Sequence, residues 1–319
     1  MILTNQSINL SIAKAPIALF AYDRPRHIDR TIAALQLNEL AAESDLYIFS
    51  DGPKSDADTS RVEEVRREID GIRGFKSVHI TRHERNCGLA QSIIFGVNEI
   101  CQRHGRVIVL EDDLVTSRYF LRYMNEALDL YEDQSNVISI HGYVYPGNDP
   151  LPETFFIKGA DCWGWATWRR GWELFQPDGE ILLQQLERRG LIHEFDFDGA
   201  FPYSQMLRDQ VKRRNNSWAI LWYASAFLSN KVTLYPGRSL VHNIGNDSTG
   251  VHCEASNLLD VEVSEAPVAL GKLVPLENAS ARKAFSHRLR GIQAPPKLAP
   301  PRPLAKLFQL CRRAIQSQA

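Results

Sequence analysis

The run Glu111-Asp112-Asp113 directly follows the apolar stretch Val107-Ile108-Val109-Leu110. Three adjacent carboxylates at the end of a buried strand repel one another and lose hydration. A divalent cation removes that penalty, and hard Mg2+ or Mn2+ prefers oxygen ligands of this kind. Such an ion can bridge to a diphosphate and neutralise a departing group. The alternative is a solvated acidic turn that caps a helix near Thr116.

Other polar clusters also follow apolar runs. Ser50-Asp51-Gly52-Pro53 offers a carboxylate that can accept the imide N–H of a pyrimidine base, or it is an ordinary Asp-Gly turn. Asp23-Arg24-Pro25 offers a guanidinium for a nucleotide or its phosphates, or a helix-capping Asp beside a surface Arg. Arg85-Asn86-Cys87-Gly88-Leu89-Ala90-Gln91-Ser92 opens a helix, and a helix N-terminus suits phosphate or ribose. Val241-His242-Asn243-Ile244-Gly245-Asn246-Asp247, followed by His252, is a polar loop that can fold over a ligand; His252 is either a ligating or a structural histidine. Gly164-Trp165-Ala166-Thr167-Trp168 reads as an exposed stacking platform for sugar rings or as a Trp-rich core.

The elements that must position these groups alternate between two periods. Apolar runs predict strands at 16–22, 45–50, 77–81, 106–110 and 137–141. Helical periodicity covers 26–40, 60–69, 89–103 and 119–133, then 181–189 and 203–213. Strands alternating with helices predict an α/β fold with a mostly parallel central sheet and helices on both faces. Ligands then sit at the carboxyl ends of the strands. The expected organisation is an N-terminal extension (1–15), one catalytic domain (16–265) and a basic, Pro-rich tail (266–319). The domain divides into a donor half (about 16–141) and an aromatic-rich acceptor half (about 142–265). The tail is expected to be extended, with a short basic amphipathic helix over 304–315.

With 44% hydrophobic and 24% charged residues, the chain can bury a sizeable core, which excludes disorder as the general reading. From Ala266 onward there are ten Lys/Arg and a single acid, Glu277, so in a chain of net charge −1 the body is acidic. That asymmetry suits contact between the tail and an anionic membrane surface. The acidic body and the lack of a recognition motif argue against nucleic acid. Five cysteines without a CxxC pair argue against a disulfide framework or zinc knuckle and fit a reducing cytosol. No apolar stretch is long enough to span a bilayer, and no secretory signal is visible.

Taken in order, Tyr22-Asp23-Arg24, Ser50-Asp51-Gly52, Val109 to Leu114, Gly164 to Trp168 and Ser239 to Gly245 resemble the GT-A glycosyltransferases. The likeness is to the group around N-acetylglucosaminyltransferase I and to bacterial family-two-like sugar transferases. It implies a GT-A fold, a nucleotide-sugar donor (a UDP-sugar above all) and an inverting transfer to a glycan or lipid-linked acceptor in polysaccharide or lipopolysaccharide assembly. It also implies that Arg24 and Asp51 hold the nucleotide, Asp112 meets the ribose, Asp113 ligates Mn2+ or Mg2+, and Glu111 supports them. Asn86 and Ser92 fall in the phosphate-facing helix opening, with Ser92 where the family has a histidine. His252 resembles a late histidine that meets metal or diphosphate. The family's Asp-Trp base has no equivalent in Asn215-Asn216-Ser217-Trp218, which leaves Asp209 and Asp161 as the nearest carboxylates. The rivals are a sugar nucleotidyltransferase and a nucleotide-sugar-binding protein without catalysis. Asp23-Arg24-Pro25-Arg26 is not the Gly-rich loop expected of the first.

Overall fold

In the computed structural model, which describes residues 13–247 and 257–293, the predicted alternation is realised. The first half contains β1 (Ile17–Ala21), α1 (Pro25–Gln36), β2 (Asp45–Ser50), α2 (Asp56–Asp70), β3 (Ser77–Arg82), α3 (Leu89–His104), β4 (Arg106–Glu111), β5 (Leu114–Thr116), α4 (Phe120–Leu130) and β6 (Val137–His141). There follow β7 (Thr154–Lys158), β8 (Trp165–Trp168), α5 (Arg169–Trp172), α6 (Gly179–Arg188), α7 (Ile192–Phe195), α8 (Tyr203–Val211) and α9 (Trp218–Leu228). The last elements are β9 (Val232–Pro236), β10 (Val241–Asn243) and α10 (Ala279–Gln293).

Local chemistry sets several boundaries. Pro25 opens α1, where its fixed φ suits the first turn and its missing N–H costs nothing. Asp178 caps α6 by accepting from the Glu180 and Ile181 N–H groups, and Ser217 caps α9 by accepting from Ile220. Gly105 closes α3 in the left-handed region at φ 79°.

Eight strands form one sheet in the order β3-β2-β1-β4-β8-β6-β9-β7. β3, β2, β1 and β4 are mutually parallel. β8 then runs antiparallel to both β4 and β6, β9 is parallel to β6, and β7 is antiparallel to β9. The sheet is therefore mixed rather than purely parallel, and β8, from the second half of the chain, lies between β4 and β6 from the first. A separate antiparallel pair joins β5 to β10.

The two-residue period of the strands separates two cores. Ile17, Leu19, Leu46, Ile48, Ile108 and Leu110 pack with residues of α1, α2 and α4. Ala18, Phe20, Phe49, Val107 and Val109 pack with Ile93, Val97 and Ile100 of α3 and Trp222 of α9. Helices thus cover both faces, as alternating apolar strands demand. Gly96 lets α3 approach the sheet closely: a Cβ there would lie 2.7 Å from the Phe20 ring and 2.9 Å from that of Phe49. A third core gathers Phe155, Ile157 and Tyr235 with residues of α6, α8, α9 and α10.

The structure decides between the two readings of the Trp-rich stretch and corrects the reading of the tail. Trp165, Trp168, Trp172, Trp218 and Trp222 are all buried, so they build core and offer no sugar platform. Trp165 stacks on Trp218 with ring centroids 5.7 Å apart. Trp163 is half-buried, edge-on to Tyr143 at 4.7 Å. The stretch beyond Ala266, expected to be extended, contains α10, which buries Phe285 against Phe155 and Tyr235. The amphipathic periodicity of Ala281, Phe285 and Leu289 outweighs the Pro content that follows. α10 also engages two of the tail's cations internally. Arg282 pairs with Asp198 and Glu277, and Arg288 donates to the carbonyls of Tyr145 and Asp149. The expected helix over 304–315 lies outside the described residues. No helix among the described residues is long and apolar enough to cross a membrane.

Candidate active site

Strand register assembles the site. Phe20 of β1 lies opposite Glu111 of β4, and Ala21 lies opposite Ser50 of β2. The loops that follow these three strands therefore share one edge, bringing together Arg24, Asp51 and Glu111–Asp113. Opposite Val109, the antiparallel β8 begins at Trp165, so its preceding residues approach the same edge. His141 at the end of β6 also lies opposite Trp165.

At the centre, the Arg24 guanidinium donates from one nitrogen to both Asp112 and Asp113, with 2.9 Å to Asp113 Oδ2. Asp112 Oδ2 also accepts the Tyr22 N–H at 3.2 Å, and the Thr31 hydroxyl donates to the Asp112 carbonyl at 2.8 Å. Asp112 and Asp113 are buried. Asp113 Oδ1 has no hydrogen-bond partner. One guanidinium faces three carboxylates, and the electrostatics reflect the deficit. Burial, then the charges of Asp113 and Asp112, push Glu111 up to about 8, with Arg24 offsetting them only in part. Burial pushes Asp112 up to about 6 against the pull of Arg24. Burial opposes the charge on Arg24, but Asp112 and Asp113 more than restore it, and its pKa lies above the ordinary value.

The β5–β10 pair folds the late polar loop onto this cluster. The Ile244 N–H donates to the Asp113 carbonyl at 2.9 Å. Gly245 passes so close that a Cβ would lie 2.1 Å from Asp113 Oδ2 and 3.0 Å from Arg24 Nη1, so any side chain here would displace the Asp113 carboxylate. Asp247 reaches His27 Nε2 at 3.2 Å. His252 lies outside the described residues.

Asp51 is buried at the end of β2 and has backbone work of its own. Its Oδ1 accepts the N–H groups of Gly52 and Cys87, and its Oδ2 accepts that of Gly88 at 2.9 Å. It thereby pins the loop that opens α3; the capacity it keeps lies on Oδ2 and in the direction that Oδ1 turns to Cys87 Sγ, 3.2 Å away. Asn86 donates to the Gly52 carbonyl, and the Ser92 hydroxyl lies 3.4 Å from Cys87 Sγ, so both side chains knit the same loops.

The two acceptor-side carboxylates are placed differently. Asp161 is half-buried; its Oδ2 accepts the Tyr145 hydroxyl at 3.0 Å and lies 3.7 Å from His141 Nε2. Burial first, then the charges of Asp161 and Glu111, push the Cys162 thiol up, and the β4–β8 register brings the residues before Trp165 toward the acidic edge. Asp209, on α8, is held by Gln205 and Arg214 and belongs to a helix packed against α6 and α9. The structure shows no contact between Asp209 and the acidic edge.

Sequence reading passed over His141, Tyr145, Tyr203 and Thr31. His141 is fully buried with neither ring nitrogen hydrogen-bonded, and burial lowers it to about 4 despite Asp161. Tyr145 and Tyr203 lie with hydroxyls 3.4 Å apart. The alternation Tyr143-x-Tyr145 just after β6 was the available signal.

The donor set fits a hard cation. Asp113 Oδ1 is a buried, unpartnered carboxylate oxygen among further carboxylates. Among the described residues this run does not itself bring together three ligating atoms. That is the usual condition of Mg2+, which takes one or two carboxylates and relies on phosphate and water for the remainder. No protein-family model and no curated protein matches the chain.

Proposed function

We propose that this chain is a metal-dependent glycosyltransferase of the GT-A type, taking a nucleotide sugar, most simply a UDP-sugar, and transferring the sugar to a glycan or lipid-linked acceptor. The observation that carries the reading is the buried, unpartnered Asp113 Oδ1 beside Asp112, Glu111 and Arg24 at the carboxyl edge of the parallel strands. Ligands of open α/β sheets bind at that edge.

In this reading Asp113 would hold Mn2+ or Mg2+, with Glu111 as a supporting carboxylate. The bound ion supplies charge to neutralise the diphosphate as it departs. Arg24 orients Asp112 and Asp113 and offers its remaining donors to the nucleotide. Asp112 Oδ2 and the free capacity of Asp51 Oδ2 face ribose and base. Gly245 and its loop close over the cluster and exclude water, which strengthens every charge interaction inside. Asp161 is the carboxylate placed to take the acceptor hydroxyl proton, with Tyr145 fixing its orientation. The basic segment beyond Gln293 is the part left to meet an anionic surface where lipid-linked acceptors reside.

Calorimetry with UDP tests the donor half. Binding is expected only with Mn2+ or Mg2+ and is expected to be lost in Asp113→Asn, which preserves shape while removing the charge. Metal-independent binding, or full affinity in that variant, overturns the assignment.

A further inference from the structure

Beside the oxygen-rich edge lies a cluster of different chemistry. At the end of β3, His83 Nδ1 approaches Cys87 Sγ at 2.9 Å, Cys87 Sγ lies 3.2 Å from Asp51 Oδ1, and His83 Nδ1 lies 3.6 Å from the same oxygen. A nitrogen, a sulfur and a carboxylate oxygen thus form a compact, uneven triangle. Among the described residues it is the one group of three His, Cys, Asp or Glu side chains whose ligand atoms lie within 4.8 Å of one another. Tetrahedral coordination with Zn–S near 2.3 Å and Zn–N or Zn–O near 2.0–2.2 Å implies ligand separations of about 3.4–3.6 Å. The observed triangle needs to open by only about half an ångström to reach that geometry.

The three groups are held from behind. The His83 N–H donates to the Ser50 carbonyl at 2.9 Å, Arg66 donates to the His83 carbonyl at 2.7 Å, and the Phe95 ring packs edge-on to the imidazole at 6.1 Å. Asp51 is fixed by the N–H groups of Gly52, Cys87 and Gly88. Such outer contacts orient ligating side chains. Cys87 is exposed, so an ion can reach it and a fourth position is open to water. Partial desolvation raises the Cys87 thiol, the Ser92 hydroxyl lowers it, and Asp51 adds to the rise, so an ion binding here must displace the thiol proton.

We propose that Asp51, His83 and Cys87 form a binding site for a thiophilic divalent cation of the zinc class. As the metal–sulfur bond forms, the thiol proton leaves to solvent. Thiolate and imidazole select zinc-like ions, whereas the carboxylates at Asp112 and Asp113 select Mg2+ or Mn2+, so two neighbouring sites separate metals by ligand softness.

Co2+ reports the site directly, because a cobalt–thiolate bond gives a near-ultraviolet charge-transfer band that oxygen ligands do not give. Titrating the full chain with Co2+ is expected to raise this band to saturation at one equivalent. The band is expected to vanish in Cys87→Ser, to need about tenfold more metal in His83→Gln, and to persist in the Cys253→Ser/Cys311→Ser double variant. Zinc is expected to raise the Tm of the wild type and leave that of Cys87→Ser unchanged, which separates loss of a ligand from loss of fold. A band that survives in Cys87→Ser, or no band at stoichiometric cobalt, overturns the proposal. The readout needs no nucleotide, so it stands or falls apart from the donor reading.

Discussion

On the β1–β4 side of the sheet, two carboxylates share one guanidinium beside a third; on the β6–β9 side, one carboxylate and one imidazole lie among tyrosines. Both clusters lie at the ends of buried strands, yet they resolve the cost of burying polar groups in opposite ways. The acidic edge is under-neutralised, and it answers by holding a proton on Glu111, whose carboxyl is raised to about 8. The aromatic side keeps its ionisable imidazole neutral, with His141 lowered to about 4. A cluster short of positive charge suits a cation; a cluster with one carboxylate, an uncharged imidazole and walls of rings suits an uncharged hydroxyl-bearing group such as a sugar. The difference supports placing donor chemistry on one side and the acceptor on the other.

The sharpest way to break this comparison is to remove one large side chain from each side and ask what a metal does. Tyr235, on β9, is buried against His141 and Phe155. Tyr235→Ala should cost about 3–5 kcal/mol by leaving a cavity. Arg24→Ala should cost about 3 kcal/mol by stranding two buried carboxylates. The responses to Mn2+ should then diverge. Added Mn2+ should restore much of the Tm lost in Arg24→Ala and little of that lost in Tyr235→Ala. Equal responses in a thermal melt would dissolve the distinction between the two sides.

The same contrast predicts pH slopes of opposite sign. Glu111 ordinarily titrates at 4.5 and here near 8, so the folded chain holds a proton that the unfolded chain releases between those values. Stability from this group is full below 4.5 and is lost as pH rises toward 8. His141 ordinarily titrates at 6.5 and here near 4, so the unfolded chain binds a proton that the folded chain refuses. Stability is therefore lost as pH falls from 6.5 toward 4. Glu111→Gln should flatten the alkaline side of the Tm profile, and His141→Phe the acid side, each by about 1–2 °C for every kcal/mol in a chain of this size. Mn2+ should also flatten the alkaline side in the wild type, because the cation stabilises the ionised carboxylates.

What was legible in the sequence follows the same division. The parallel strands were readable within a residue or so because each is an apolar run bounded by turns, as Asp45–Ser50 and Val137–His141 show. The acidic run was readable because carboxylates directly after Leu110 have no apolar explanation. The mixed half was less legible. α9, Trp-Ala-Ile-Leu-Trp-Tyr-Ala-Ser-Ala-Phe-Leu, is apolar on every side and leaves no helical period to detect. β7 and β8 are short and take their places through pairing with β9, β4 and β6. Burial of the Trp cluster depends on that pairing, which is why an exposed platform and a core were equally consistent with Gly164-Trp165-Ala166-Thr167-Trp168. The constraint on Asp51 was invisible for a related reason: its partners are backbone N–H groups, which every sequence has.

The smallest expected effect separates the two acceptor-side carboxylates. Asp209 lies on α8, where Gln205 Nε2 reaches it at 3.1 Å and Arg214 Nη1 at 3.4 Å, both on the same helix or just beyond its end. Its Arg214 partner is mostly exposed, and an ion pair of that kind contributes about 0–1 kcal/mol. Asp209→Asn should therefore shift Tm by about 2 °C or less. Transfer of sugar from a UDP-sugar should stay within about twofold of the wild type, because 0.4 kcal/mol or roughly that is all a solvent-screened charge at this position transmits. Asp161→Asn, which leaves the Tyr145 hydroxyl without its carboxylate, should instead lower turnover while UDP affinity is retained. If Asp209→Asn abolishes transfer and Asp161→Asn does not, the base belongs to α8, and the acceptor must approach over α6 and α9 rather than past the tyrosines.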